Sequence, residues 1–405
     1  MLTNDSSYRW ILLLGVWLLY FSFGLAVTSI APLVEPIRAD LDVSYAAIGL
    51  ILGIWQFVYI GAAIPCGILL DKLGVSTSLL IGGAIITASL IARAYAPDFT
   101  FMLLAVMLFG IGGPIISAGA PKLVAGMFSG SERGLAMGIY MTGPAIGGII
   151  SLTLTHPILL PNLDNDWRNI MLLWGGVCAA CTFGWLLISR LSVSDAKPES
   201  AAGPGQIEVI RKIIADPAVL IVMFMSVGVF FINHGLSNWL PELLRSGGMD
   251  QTQAGYLAAI PTIIGIAGSL LIPRLAIPAR RFNILIGLAL CATGASLLLQ
   301  FTEPLLLYTG LFLQGVARSA LMTILILTLV ELPSIGERYA GVASGFFFSA
   351  AEVGGVLGPV SLGFLYDLSG GFSLSLYLLS GIALLTVIGG KRLKRIAAQQ
   401  SQQAS

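Results

Sequence analysis

Long apolar runs recur along this chain with a regularity that leaves few choices of fold. A run of 18 or more residues with few charges matches the hydrocarbon thickness of a bilayer when it is wound as a helix. Such runs lie near residues 10–34, 46–70, 78–96, 99–123, 134–157 and 168–190, and again near 217–241, 253–273, 281–300, 304–330, 338–365 and 371–390. Twelve helices of about 20 residues use roughly 240 positions, and no large soluble domain fits in what is left of 405 residues. With 57% hydrophobic and only 10% charged residues, the composition is that of a membrane protein. The expected fold is all-α, with twelve transmembrane helices.

The longest polar stretch, residues 191–216, contains Lys197, Pro198, Glu199, Gly203, Pro204, Arg211 and Lys212. It reads as a linker between two six-helix bundles, 1–190 and 217–390, with a short tail at 391–405. The first apolar segment is too long for a cleavable signal and shows no distinct small-residue cleavage pattern, so it is expected to stay as the first helix. Sixteen of the 21 lysines and arginines fall on the side that carries the N-terminus, whereas Arg38, Arg168 and Arg245 fall opposite and Arg93 and Arg318 fall within spans. Basic residues concentrate on the cytoplasmic side, which predicts cytoplasmic N- and C-termini in a bacterial-type inner membrane. Arg93 and Lys122 lie near helix ends, where long basic side chains are expected to snorkel to the headgroups.

Several function classes are excluded. A net charge of +1 carries no basic patch for nucleic acid. Cys178 and Cys181 form a CxxC, but Trp174 and Phe183 surround it on an apolar span, with no nearby histidine and no second pair, so packing rather than metal or redox chemistry is expected. No GxxxxGK[ST] loop is present, and transport energy is expected from a gradient rather than from ATP. No cofactor is implied. A membrane-embedded sensor or enzyme finds no catalytic pair or metal cluster in the spans apart from Arg318 and Glu352.

The halves are related. Gly134, Gly138, Gly147 and Gly148 recur as Gly341, Gly345, Gly354 and Gly355, each at an offset of 207, with Ala136 recurring as Ala343. The first and seventh segments also each end in a proline, Pro32 and Pro241. The pattern predicts two copies of one six-helix unit, related as parallel repeats. Small residues let helix backbones approach closely in lipid, and the duplicated glycines predict that the fifth and eleventh helices pack against the opposite bundle and slide there.

An ionised side chain at the bilayer centre costs at least about 2.5 to 3.5 kcal/mol, so each needs a partner or a task. Arg318 on the tenth helix and Glu352 on the eleventh both fall near the midplane. Three readings compete: a buried pair that fixes how the two helices dock, a substrate site in which the planar guanidinium takes a small oxyanion, and a coupling site in which Glu352 exchanges a proton. Gln314 precedes Arg318 by one turn and shares its face. The seventh helix carries Asn233, His234, Ser237 and Asn238, as candidates for substrate hydrogen bonding or for satisfying one another and the backbone near Pro241. Tyr20, Gly24 and Thr28 on the first helix form a stripe, and Gln56, Tyr59 and Tyr140 are further candidates for a cavity wall.

The segment GILLDKLG, from Gly67 to Gly74, resembles the loop signature of the major facilitator superfamily, although Val75 and Ser76 stand where basic residues are usual. The resemblance covers the whole chain. It implies that Asp71, Lys72 and Gly74 form a gating loop, with Asp71 near the cytoplasmic start of the eleventh helix, where the positive end of the helix dipole favours a carboxylate and the contact latches the outward-open state. It also implies that the tenth helix lines a central cavity. RGLAMGIYMTGPAIGG (133–148), NHGLSNWLPELL (233–244) and SGFFFSAAEVGGVLGP (344–359) resemble the cyanate and nitroimidazole permease-like group, which implies uptake of small, often anionic solutes. Gly143, Pro144, Gly147 and Gly148 instead resemble the antiporter motif of drug exporters, but Val106 stands where such exporters usually place an arginine. The expectation is a monomeric, proton-coupled importer of a small anion working by alternating access, with a proton-coupled drug exporter as the alternative.

Overall fold

The computed structural model describes residues 6–190, 216–332 and 335–404, and twelve helices long and apolar enough to cross a membrane are present among them. The expected linker lies outside the described residues except for Asp216, whose carboxylate accepts a hydrogen bond from the Ala218 N–H at 2.7 Å and so caps the next helix. The helices are α1 (Ser6–Thr28) with α2 (Val34–Leu41), α3 (Tyr45–Leu73), α4 (Val75–Ala94), α5 (Phe99–Met127), α6 (Gly130–Leu154) and α7 (Trp167–Arg190). They continue as α8 (Pro217–Ser246), α9 (Gln251–Leu275), α10 (Arg281–Leu298), α11 (Pro304–Val330), α12 (Gly336–Ser369) and α13 (Ser373–Ala404).

Departures from the expected bounds have local causes. The first span breaks after Thr28 and passes through a tight turn at Ala31–Leu33 before α2, because Pro32 brings no N–H to a continuous helix. Residues 391–404, expected as a tail, continue α13 as helix. Charge ends the hydropathy signal there, but the stretch has no proline or glycine after Gly390 and is rich in good helix formers.

The chain divides into two compact units, Met1–Glu199 with Leu240–Ala259, and Ser200–Trp239 with Ile260–Ser405. The junction of the seventh and eighth spans thus clusters with the first six helices. In the first unit α1 packs on α6 and α7, α3 on α5, and α4 on α5 and α7. In the second, α10 packs on α11 and α13, and α11 on α12. The third helix of each half therefore meets the fourth and the sixth, which repeats in space the duplication read from the glycines.

Those glycines have different neighbours from the ones expected. A side chain at Gly147 would run into the backbone of α1 at Phe21 and Leu25, and one at Gly354 would strike the α8 backbone at Val227 and Phe231. Both face the first helix of their own half, so their close approach builds each unit from within. Gly148 sits against the Thr28 hydroxyl, where an added Cβ would be at 3.0 Å, and Gly24 lies against the Pro144 backbone. The stripe of Gly24 and Thr28 is accordingly a packing face for α6. Gly134, Gly138 and Gly345 have nothing within 4 Å of an added Cβ. Gly355 is buried, while Gly341 lies outside the residues whose surroundings are described.

Arg93 does not reach the headgroups. It is 1% exposed on α4, and its Nη1 donates to the Ala26 carbonyl at 2.9 Å and to the Ser29 hydroxyl at 3.1 Å. Its guanidinium lies 5.6 Å from the centroid of the Phe109 ring. The reason is the break in the first span: the last carbonyls of α1 have no intrahelical donor, and a cation at a helix C-terminus also meets the negative end of its dipole. Replacing Arg93 with methionine keeps the stem and removes these donors. The expected loss is about 1.5 to 3 kcal/mol, to be read as a lower melting temperature of the purified protein; an unchanged value would show that the cap contributes nothing.

Candidate functional site

Two clusters of polar side chains are set among the helices, one in each unit. In the second unit, Arg318 projects from α11, and its Nη1 donates to the Ser237 hydroxyl of α8 at 2.7 Å. No ion pair within 4.0 Å joins it to Glu352 or to any other carboxylate among the described residues. Glu352 on α12 is 7% exposed, and its Oε2 has no hydrogen-bond partner. The buried pair, one of the three readings, is therefore not formed. Depth along a helix follows from sequence, but rotation about the axis does not: at about 100° per residue, Glu352 stands roughly half a turn from Gly354, the residue pressed against α8. Arg318 reaches to α8, while Glu352 is turned to the other side of α12.

Gln314 is 2% exposed, and its Oε1 also has no hydrogen-bond partner. On α8, the Asn238 amide donates to the His234 carbonyl at 2.9 Å, so Asn238 spends a donor on its own helix. The His234 ring lies 5.1 Å from Phe230 in a tilted contact, and Asn233 is half-buried. Trp239 donates from Nε1 to the Pro359 carbonyl at 2.9 Å, which ties α8 to α12. Among the described residues, the guanidinium of this cluster pairs with a neutral hydroxyl and with no carboxylate. A guanidinium carries five N–H donors, and such a fork suits a planar oxyanion.

In the first unit, the rings of Tyr20 on α1 and Tyr140 on α6 are 5.4 Å apart. Trp17 donates to the Thr142 hydroxyl at 2.9 Å, the Tyr59 and Ser117 hydroxyls meet at 2.7 Å, and Gln56 is fully buried on α3. Tyr20 and Tyr140, named separately as candidates for a cavity wall, lie within one aromatic group that includes Phe23, 5.6 Å from Tyr20. At the other end of α3, Asp71 pairs with Lys122 of α5 at 2.6 Å. Lys122 was expected to reach for headgroups and instead neutralises the loop carboxylate.

The pattern of a Major Facilitator Superfamily protein matches residues 16–359. The chain belongs to that family. It is a multi-pass membrane transporter and not an enzyme. Facilitators similar to it over nearly their whole length include a quinolone resistance transporter of Acinetobacter baumannii, 27% identical over 86% of this chain and 85% of that one. A hexuronate transporter of Bacillus subtilis strain 168 is 24% identical over 89% of this chain and 88% of its own. Among solved structures, a mutant form of the nucleoside transporter NupG superposes with a TM-score of 0.80 over 94% of this chain and 99% of that chain, at 14% identity. At that identity the likeness concerns the fold.

Within this facilitator, the second span runs as helix to Leu73 and breaks at Gly74. Gly74 has φ +80° and ψ 157°, a region accessible to glycine and strained for other residues. Its carbonyl accepts from the Ser78 hydroxyl at 2.8 Å, which starts α4 sharply. Lys72 is exposed beside it. Sequence reasoning placed Ser237 among the polar residues of the seventh helix without seeing that it partners Arg318. It reads Arg38 and Arg245 only as charges on the side opposite the N-terminus and does not single out Tyr45, Glu35 or Glu242; all five gather at one end of the first unit. The signal was there: Glu-x-x-Arg occurs twice at the offset already found for the glycines.

Proposed function

We propose that this facilitator imports a small anionic solute by alternating access, that Arg318 is the anion anchor and that Glu352 carries a coupling proton. The observation that carries the reading is the Arg318 guanidinium, set within a membrane span with a hydroxyl for its partner and no carboxylate within 4.0 Å among the described residues. A membrane-embedded charge is costly, and a transported anion repays that cost at each turnover. Gln314, His234, Asn233 and Asn238 complete the anion site on this reading, and Tyr20, Gln56 and Tyr140 form a cavity wall within the first unit. Relatives named for hexuronate and for sulfoacetate carry solutes of this charge. We place the protein in the bacterial inner membrane, with both termini cytoplasmic on the distribution of its basic residues, and take it as a monomer. Asp71, Lys72 and Gly74 act as the gating loop, and the Asp71–Lys122 pair has to open when Asp71 engages another element.

A ligand panel tests the anchor. A ligand at 100 times its Kd adds about 2.7 kcal/mol to stability, a readily measured thermal shift. Small carboxylates and other oxyanions are expected to stabilise the protein, and lipophilic cations are not. The reverse pattern supports the second reading, proton-coupled drug export, which the likeness to a quinolone resistance transporter favours. For coupling, Glu352→Gln is expected to spare exchange of substrate across vesicles while removing accumulation driven by an imposed proton gradient. Unchanged accumulation would remove Glu352 from the coupling step.

A further inference from the structure

One end of the first unit holds a set of charged groups that substrate binding does not use. On α2, Arg38 grips Glu35 with two hydrogen bonds, Nε to Oε2 at 2.9 Å and Nη2 to Oε1 at 2.8 Å. On α8, Arg245 grips Glu242 in the same way, Nε to Oε2 at 2.7 Å and Nη2 to Oε1 at 2.6 Å. Glu35 and Glu242, like Arg38 and Arg245, are 207 residues apart, the spacing that relates Gly147 to Gly354. The two forks are therefore the same element of the two repeats. The Tyr45 hydroxyl joins them, 3.1 Å from Glu35 Oε2 and 2.9 Å from Glu242 Oε1. Arg245 Nη2 also approaches Glu35 Oε2 at 3.8 Å.

Burial argues that this contact is built rather than incidental. Glu242 is 3% exposed and Tyr45 is 9% exposed. A carboxylate leaves water at a cost of several kcal/mol unless it is paired and hydrogen-bonded, and here a bidentate arginine and a tyrosine hydroxyl supply those partners. Each fork is complete within its own helix, so parting the two forks breaks the Tyr45 bridge and the Arg245–Glu35 approach but leaves neither glutamate without its arginine. Such an arrangement closes firmly and opens at low cost. His156 stands beside it, with its Nε2 2.6 Å from the Pro32 carbonyl, and with Pro32, Glu35, Pro241, Glu242 and Arg245 it lines a small cavity against the set.

We propose that the duplicated Glu-x-x-Arg forks and Tyr45 form a latch that shuts one end of the transport path. The proposal rests on the alternating-access reading above and is independent of substrate, direction and coupling ion. Its test measures distance rather than transport. Spin labels are attached through Ala39→Cys and Gly247→Cys, both at exposed positions flanking the forks, in a protein whose four native cysteines are replaced. The unmodified latch is expected to give a predominantly short separation. In Tyr45→Phe, which keeps the ring and removes the bridging hydroxyl, the longer-distance population is expected to rise about fivefold, the factor given by one hydrogen bond of ordinary strength. Glu35→Gln with Glu242→Gln is expected to raise it further.

A distance distribution unchanged in both variants overturns the latch, as does a lower melting temperature with no longer-distance population, which would show that the forks only hold the fold. Failure of the anion reading appears separately, in the ligand panel, and leaves these distances as they are.

Discussion

Replacing Arg318 with glutamine is expected to abolish uptake while leaving a folded protein in the membrane. The guanidinium spends Nη1 on Ser237 at 2.7 Å and has no carboxylate within 4.0 Å among the described residues, so the substitution removes no ion pair from the fold. Glutamine keeps a donor for the Ser237 hydroxyl. Because a charge held within a span is costly, the melting temperature is expected to stay level or rise. On the proposed reading, the expected loss is the charge-assisted hydrogen bond to the anion, about 1.5 to 3 kcal/mol for one such bond, or roughly 10- to 150-fold in affinity. Uptake into proteoliposomes and the thermal shift with the stabilising anion both check it. Normal uptake by a well-folded variant would end the case for Arg318 as the anchor, and loss of folding would return it to a structural role.

Gly354→Leu is expected to be the most damaging single change to the fold. A Cβ at that position would enter the α8 backbone at Val227 and Phe231, and backbone cannot swing aside as a flexible side chain can. Overpacking in a tight interior costs about 1 to 3 kcal/mol, and occasionally more; here the helices have to separate, so loss of folded protein on size-exclusion chromatography is expected. Gly345→Ala is the matched control. It lies on the same helix and belongs to the same duplicated set, yet an added Cβ has nothing within 4 Å. Alanine also loses less entropy than glycine when held in a helix, so the melting temperature is expected to hold or rise slightly. Equal damage from both would refute the packing account.

The number of spans, their depth and the duplication of the chain were legible without coordinates, because each is a property of position along one dimension. Apolar length sets the spans, proline and charge mark their ends, and the offset of 207 links Gly147 to Gly354 whatever they touch. The segment from Gly67 to Gly74 was legible through its resemblance to a known signature; residues up to Leu73 continue α3, and the break falls at Gly74, whose φ of +80° favours glycine.

Rotation of each helix about its axis, and the choice of its neighbours, were decided by the tertiary structure. Arg318 and Glu352 share a depth, yet one turns to Ser237 while the other is turned away from α8. Arg93 lies near a helix end, where a long cation ordinarily reaches for headgroups, but the broken end of α1 offered carbonyls nearer at hand. Glu35 and Glu242 are far apart in sequence on segments that read as loop charges. They come to either side of Tyr45 only because Leu240–Ala259 packs with the first unit. An amphipathic pattern fixes a helix face when water lies on one side and apolar core on the other. In lipid both sides are apolar, and close packing and hydrogen bonding among all the helices together decide which way a polar residue points.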